Sequence, residues 1–321
     1  MRILPMTNLI HMNYLKTRHL KFPAVIALLF LIILSFSCKG EPKKVETTET
    51  IEETDNLKNK YGGLALYTVR DAMGENPKET LEKVAQIGYE NIEAAGYQDG
   101  LYYGMKPEDF KAYVDGLGLN PVSTHQSSVT LENADAMIAH AKAAGFQYFV
   151  VPVPPMGMFK FNPETRELSM EGTAKELAAI LQTLGEKCNQ AGIQLLYHNH
   201  DFEFKEDSEG NVIWDYLLDN LDSEVVNFQM DLYWVTKAGA NPLAYFEKYP
   251  GRFKAWHVKD MDDQGRFALV GEGTIDFAKI LAQKEASGMQ YYFVEQDMTF
   301  DGLQPLEAIQ MSHDALKEIG F

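Results

Sequence analysis

From Tyr61 onward the chain alternates between two kinds of segment, and that alternation restricts the fold more than any other feature. Short apolar runs occur at Leu64–Tyr67, Asn91–Ala94, Pro121–Thr124, Tyr148–Val153, Gln194–Tyr197, Val225–Met230, Phe253–Val258 and Tyr291–Val294. Amphipathic stretches lie between them, at Glu79–Ile87, Pro107–Leu117, Asn133–Ala144, Thr173–Ala191, Ala244–Tyr249, Phe277–Ser287 and Leu306–Ile319. Gly88, Gly118, Gly145, Gly192, Gly251 and Gly288 punctuate the joints, where a left-handed residue caps a helix before the next strand. Several joints share one phrase, as in Gln-Ile-Gly-Tyr-Glu, Ala-Ala-Gly-Phe-Gln and Gln-Ala-Gly-Ile-Gln. Eight βα units in 261 residues predict a single α/β domain, Tyr61–Phe321, folded as a closed (β/α)8 TIM barrel with its active site at the C-terminal strand ends. An open doubly wound sheet is the alternative. No glycine-rich phosphate loop opens any helix, so nucleotide binding has no support.

The first 60 residues follow different rules. Met1–Lys21 carries Arg2, Lys16, Arg18 and Lys21 and no acid, and an apolar run from Phe22 closes on Ser37-Cys38. This order of basic, apolar and processing regions predicts a signal peptide over 1–38. Cys38 resembles the lipidated cysteine of a bacterial lipoprotein, with Phe36 where a small residue is usual; an uncleaved membrane anchor is the alternative. Residues 39–60, rich in Lys, Glu and Thr, cannot bury enough apolar surface to offset ordering and are expected to form a disordered linker. The expected location is therefore the periplasm or cell envelope, with the chain held to the membrane through its N-terminal lipid.

Charge and cysteine narrow the partners. Setting aside the four N-terminal cations, 25 basic residues face 46 acidic ones, which argues against nucleic acid. With Cys38 lipidated, Cys188 has no disulfide partner and reads as a helix residue without a catalytic role. A homodimer is compatible with all of this.

The chemistry is concentrated in the second half. The last four strands end at His198, Asp231, His257 and Glu295, each about one βα unit apart, so a barrel brings them to one mouth. Half-buried carboxylates need a counter-charge. Two imidazoles with two carboxylates suit one divalent ion, Mn, Zn, Co or Fe, better than Ca or Mg. Glu93, His125, His200 and Trp234 are candidates for binding substrate at the same mouth, and Tyr67, Phe202, Tyr233, Tyr102 and Tyr103 are further aromatic candidates. Lys259, two residues past His257, shares its face and could polarise a carbonyl; the alternative is a surface ion pair with Asp260. The phrase Gly271-Glu-Gly-Thr-Ile-Asp276 reads as structural.

On five phrases the domain resembles the xylose-isomerase-like barrel superfamily of sugar isomerases and epimerases, which also includes inosose dehydratase and endonuclease IV relatives. They are Tyr-His-Asn-His-Asp (197–201), Met-Asp-Leu-Tyr-Trp (230–234), His-Val-Lys-Asp (257–260), Gly-Glu-Gly-Thr-Ile-Asp-Phe (271–277) and Phe-Val-Glu-Gln-Asp (293–297). The resemblance implies metal ligands Glu, Asp, His and Glu from the last four strands. Asp231, His257 and Glu295 match; the first position departs, with His198-Asn199-His200 where Glu-Asn-His is usual. Epimerases of that family pair two glutamates as acid and base, and only Glu295 of that pair is present. The resemblance thus implies a metal-dependent isomerase or epimerase working through an enediolate; the expected location outside the cytoplasm, where sugar phosphates are scarce, makes a non-phosphorylated sugar or keto-sugar the expected substrate, with Glu295, His198 and Lys259 as the expected catalytic groups. A 3-keto-glycoside lyase or dehydratase using the same site is one alternative. A non-catalytic carbohydrate-binding lipoprotein is the other.

Overall fold

The computed structural model describes residues 61–165 and 167–321; the leader, Cys38 and the linker lie outside the described residues. Eight parallel strands close into a barrel: β1 (Gly62–Ala65), β2 (Asn91–Ala94), β3 (Asn120–His125), β4 (Tyr148–Val151), β5 (Gln194–His198), β6 (Val226–Asp231), β7 (Phe253–Val258) and β8 (Tyr291–Val294). They neighbour one another in sequence order, and β1 pairs with β8 to close the ring. The expected strands all form, with ends shifted by no more than two residues.

Why these runs become barrel strands is visible in their burial. Parallel strands with helices outside are covered on both faces, so they read as nearly continuous apolar runs. Outward residues such as Ile92, Phe149, Leu195, Phe228, Trp256 and Val294 pack under the helical shell. Inward residues Ala65, Val122, Tyr148, Val150, Leu196, Ala255 and Phe293 form a separate small core inside the barrel. Among the helices, Pro77–Ile87 starts on an Asn76 cap, and Ala174–Ala191 starts on a capping box between Thr173 and Glu176. Gly192, at φ 73°, ends the latter in the left-handed conformation that the sequence pattern required. Cys188 lies buried in this helix, where burial pushes its thiol up to about 12.

Several elements depart from expectation. Helices Arg70–Glu75, Ile213–Asn220 and Leu232–Lys237 form where none was expected, and the stretch expected to be one helix over 277–287 splits into Phe277–Leu281 and Lys284–Ser287. Short antiparallel hairpins decorate the loops, Phe159–Phe161 with Leu168–Met170 and Asp260–Met261 with Phe267–Ala268 among them. Among the described residues no helix is long and apolar enough to cross a membrane.

Two irregularities in the sheet matter for the site. Between β6 and β7 the register slips at Phe228/Gln229, and between β2 and β3 it slips at Ile92/Glu93. Such bulges re-aim side chains and gather near active sites.

Candidate functional site

Side chains alternate along a strand, so residues two past the inner core also point inward, one layer nearer the mouth. Leu196, Ala255 and Phe293 are followed in this way by His198, His257 and Glu295, and β6 adds Gln229 and Asp231. Glu93 and His125 complete the layer. Apart from His125, which is partly exposed, all are buried, with Asp231 and His257 at 0 % exposure.

Asp231 is oriented by the helix it begins. Its Oδ1 accepts the N–H of Trp234, capping Leu232–Lys237, and its backbone N–H donates to Asn199 Oδ1 at 2.9 Å. That leaves Oδ2 for the mouth, where it lies 3.0 Å from Lys259 Nζ and 3.7 Å from His257 Nδ1. His257 bridges two carboxylates: Nδ1 is 2.9 Å from Glu295 Oε2 and Nε2 is 2.6 Å from Glu93 Oε1. Burial opposes charge on this ring, but Glu295 and Glu93 outweigh it and hold His257 well above the ordinary histidine range. Glu295 is raised by burial and, more strongly, lowered by His257 and Lys259, so it stays ionised well below the usual carboxylate range.

Lys259 is a buried cation, 1 % exposed, with Glu295 Oε2 at 2.6 Å, Asp231 Oδ2 at 3.0 Å and Asp297 Oδ2 at 3.1 Å. Desolvation works against its charge, and these three carboxylates reverse the balance. The surface pair with Asp260 does not form. Asp260 turns away and accepts backbone N–H groups from Met261, Gly271, Gly273 and Ile275. Gly273 is required there, because a Cβ would collide with the Asp260 carboxylate. The segment 271–275 is structural, as its sequence suggested. Asp297, which sequence reasoning missed, is pushed up to about 6, mainly by burial, while Lys259 pulls the other way. Its spacing of two from Glu295 was the available signal.

Among the described residues, two sets of possible ligand atoms each lie within 4.8 Å of one another: Asp231, His257 and Glu295, and His125, His198 and His257. The four residues singled out from the sequence are thus divided, three in one set and His198 in the other, with the His198 and His257 rings 4.7 Å apart. The two sets differ in what already occupies them. In the histidine set, protein oxygens face the nitrogens: Gln229 Oε1 is 2.9 Å from His125 Nε2 and 3.0 Å from His198 Nδ1, and Glu93 Oε1 takes His257 Nε2. In the carboxylate set, the group that faces Asp231 and Glu295 is the Lys259 ammonium. One nitrogen and two carboxylate oxygens, with Asp231 Oδ2 lacking a well-formed hydrogen bond, fit a borderline divalent ion.

His198 is neutral. Burial, then the neighbouring His257 and His200, hold it well below the ordinary range. His200 is pushed down to about 3 by burial and Lys259, and its Nδ1 is buried without a hydrogen-bond partner, as is Trp234 Nε1; the two rings are 5.3 Å apart. Lys259 Nζ lies 5.7 Å over Trp234. Among the other aromatics, Tyr102, Phe202 and Tyr233 are buried packing groups and the Tyr103 hydroxyl accepts from Ala95 N–H, whereas Tyr67 is 42 % exposed.

Comparison with known proteins agrees with the barrel fold. Residues 81–319 match the family model described as xylose isomerase-like TIM barrel. An inosose dehydratase from Lacticaseibacillus casei is 27 % identical over 144 residues, covering 38 % of this chain and 47 % of that protein, so the chain spans about half the length of the curated relatives it matches. The structure of a sugar phosphate isomerase/epimerase from Parabacteroides distasonis superposes with a TM-score of 0.69 at 25 % identity, covering 81 % of this chain and 100 % of that one. An IolI protein with a bound zinc atom superposes at 0.62 with 16 % identity, covering 81 % and 97 %, which shows a common fold. With its barrel and most of its length in agreement, the chain belongs to the xylose isomerase-like TIM barrel family.

Proposed function

We propose that this chain is a metal-dependent carbohydrate enzyme of the isomerase/epimerase type, acting next to the carbonyl of a non-phosphorylated sugar or keto-sugar. The observation that carries the reading is the convergence of Asp231, His257 and Glu295 on one point, with Lys259 beside them. These three residues would hold the ion, and His198 stands next to them. A divalent ion bound there supplies Lewis-acid stabilisation of the oxyanion that forms when a neighbouring C–H is broken. The family's sugar chemistry and the zinc atom of one structural neighbour support this choice.

The side chains divide the remaining work. His198 is neutral and close, and removes the carbon-bound proton. Lys259, turned toward Asp297, offers its ammonium to a substrate oxygen. Glu93 fixes His257 through Nε2, and His200 and Trp234 offer unused polar atoms to hydroxyl groups. The lyase alternative, elimination from a 3-keto-glycoside, is favoured by one feature: His198 replaces the glutamate of the usual acid/base pair, so a proton leaves readily but has no matched partner for its return on the other face. The lipid anchor at Cys38 and the cell-envelope location belong to the same proposal and make glycosides and free sugars the natural substrates.

The test has two readouts on purified protein. Elemental analysis should find about one divalent ion per chain, and Asp231→Ala or His257→Ala should remove it. Incubation with 3-keto-glycosides, free ketoses and inososes in deuterated water should place deuterium on carbon. Metal-free protein with no exchange into any of these sugars would leave a carbohydrate-binding barrel without turnover.

A further inference from the structure

We propose that Gln229 is a positioning residue that fixes which nitrogen of His198 carries the proton, leaving Nε2 as the bare nitrogen offered to the mouth. Nothing in the sequence motifs singles out Gln229. It follows from a chain of hydrogen bonds across the barrel interior.

The chain starts at Glu93, whose carboxylate can only accept. Its Oε2 receives Ser123 Oγ–H at 2.6 Å and Gln229 Nε2–H at 2.6 Å. The amide of Gln229 is therefore oriented: a flipped amide would set its oxygen against a carboxylate oxygen at that distance. With Nε2 committed to Glu93, Oε1 faces the histidines and can only accept. Both nitrogens that approach it, His125 Nε2 at 2.9 Å and His198 Nδ1 at 3.0 Å, must donate. For a neutral His198, a proton on Nδ1 means a lone pair on Nε2. Among the described residues Nδ1 is the ring nitrogen of His198 with a hydrogen-bond partner, so Nε2 is not engaged.

The backbone supports the same assignment. The two register slips in the barrel fall at Gln229 and Glu93, the two residues that meet across it. Bulges of this kind re-aim side chains, and the amide and carboxylate that stand at them, on β6 and β2, are in contact. A packed apolar layer would need neither.

The functional clause rests on the reading of the mouth as a proton-transfer site. There, the C–H bond of the sugar breaks, its electron pair moves toward the carbonyl oxygen, and the proton forms a new N–H bond at His198 Nε2. The tautomer itself stands apart from that reading and is measured without substrate or metal. The experiment is nitrogen NMR of the full chain labelled only at histidine, with His198→Gln used to assign the resonances. Wild type should show His198 protonated at Nδ1 and bare at Nε2. In Gln229→Leu the acceptor is gone, and the Nδ1 resonance should shift from the protonated toward the unprotonated range as the Nε2–H form gains. Wild-type His198 already carrying its proton on Nε2 would overturn the proposal, as would an unchanged tautomer in a folded Gln229→Leu. If that variant does not fold, Glu93→Gln decides the matter, since a neutral amide at 93 releases the orientation of Gln229; loss of the Nδ1–H preference supports the assignment and its retention refutes it. Absence of metal or of deuterium exchange would count against the enzyme reading alone.

Discussion

The inside of the barrel has two layers, and they obey opposite rules. The lower one, with Ala65, Val122, Leu196, Ala255 and Phe293, is apolar and closed. The upper one, which lies two residues later at His198, His257 and Glu295, also takes in Glu93, His125, Gln229 and Asp231. Both are buried, so burial does not distinguish them. In the lower layer water exclusion contributes stability directly. In the upper layer the same exclusion penalises each charge and is offset only through partners: His257 between two carboxylates, Lys259 among three. A layer held together by mutual compensation can exchange one cation for another, which an apolar layer cannot do.

The largest expected effect separates the two layers by their response to metal. Phe293→Ala should cost about 3–5 kcal/mol of unfolding free energy by leaving a cavity in the lower layer. Added Mn or Zn should recover none of that loss beyond the stabilisation wild type gains from the same ion, as read by denaturant titration. Lys259→Met should cost roughly 3 kcal/mol in chelated protein, because Asp231 and Glu295 lose a buried partner. Here saturating divalent ion should restore most of the loss and bind more tightly than to wild type, seen by calorimetric titration. If metal rescues the first variant and not the second, the contrast between the layers is wrong.

The smallest effect sharpens the edge of the upper layer. Glu203 is buried, accepts from the Tyr197 hydroxyl at 2.8 Å and from His200 N–H at 2.8 Å, and is pushed up to about 8, mainly by burial. A carboxyl whose value is raised in the folded state contributes stability that is complete below the unfolded value near 4.5 and is lost as pH rises through about 8. Glu203→Gln should flatten the decline of stability across that window while leaving the stability below pH 4.5 nearly unchanged, in denaturation midpoints measured against pH.

Much of this was legible in the sequence because barrel strands are apolar on both faces and their ends are marked by polar residues. The eight runs, the capping glycines and the convergence of Asp231, His257 and Glu295 follow from spacing alone. Helices 213–220 and 232–237 were not legible. Trp214, Leu217 and Leu218 on the first, and Leu232, Tyr233 and Val235 on the second, are apolar segments too short to establish a helical period, and packing decides their form. The position of His198 was only half legible. Its strand end was clear, but its commitment to Gln229 depends on a side-chain pairing between neighbouring strands that no pattern of apolar residues records. Gln229 was open to recognition, since it shares the face of Asp231 two residues on. Lys259 was placed on the right face, and its alternative partner Asp260 failed because four backbone N–H groups claim that carboxylate first.

That claim on Asp260 has a mechanical consequence. The main chain directly after Lys259 is moored to the loop at 271–275, which fixes the backbone that carries the ammonium. Both oxygens of Asp297 lie within 3.2 Å of the nitrogen, so the ammonium would keep a carboxylate partner if an ion took its place against Asp231 and Glu295, with no shift of the strand that supports it.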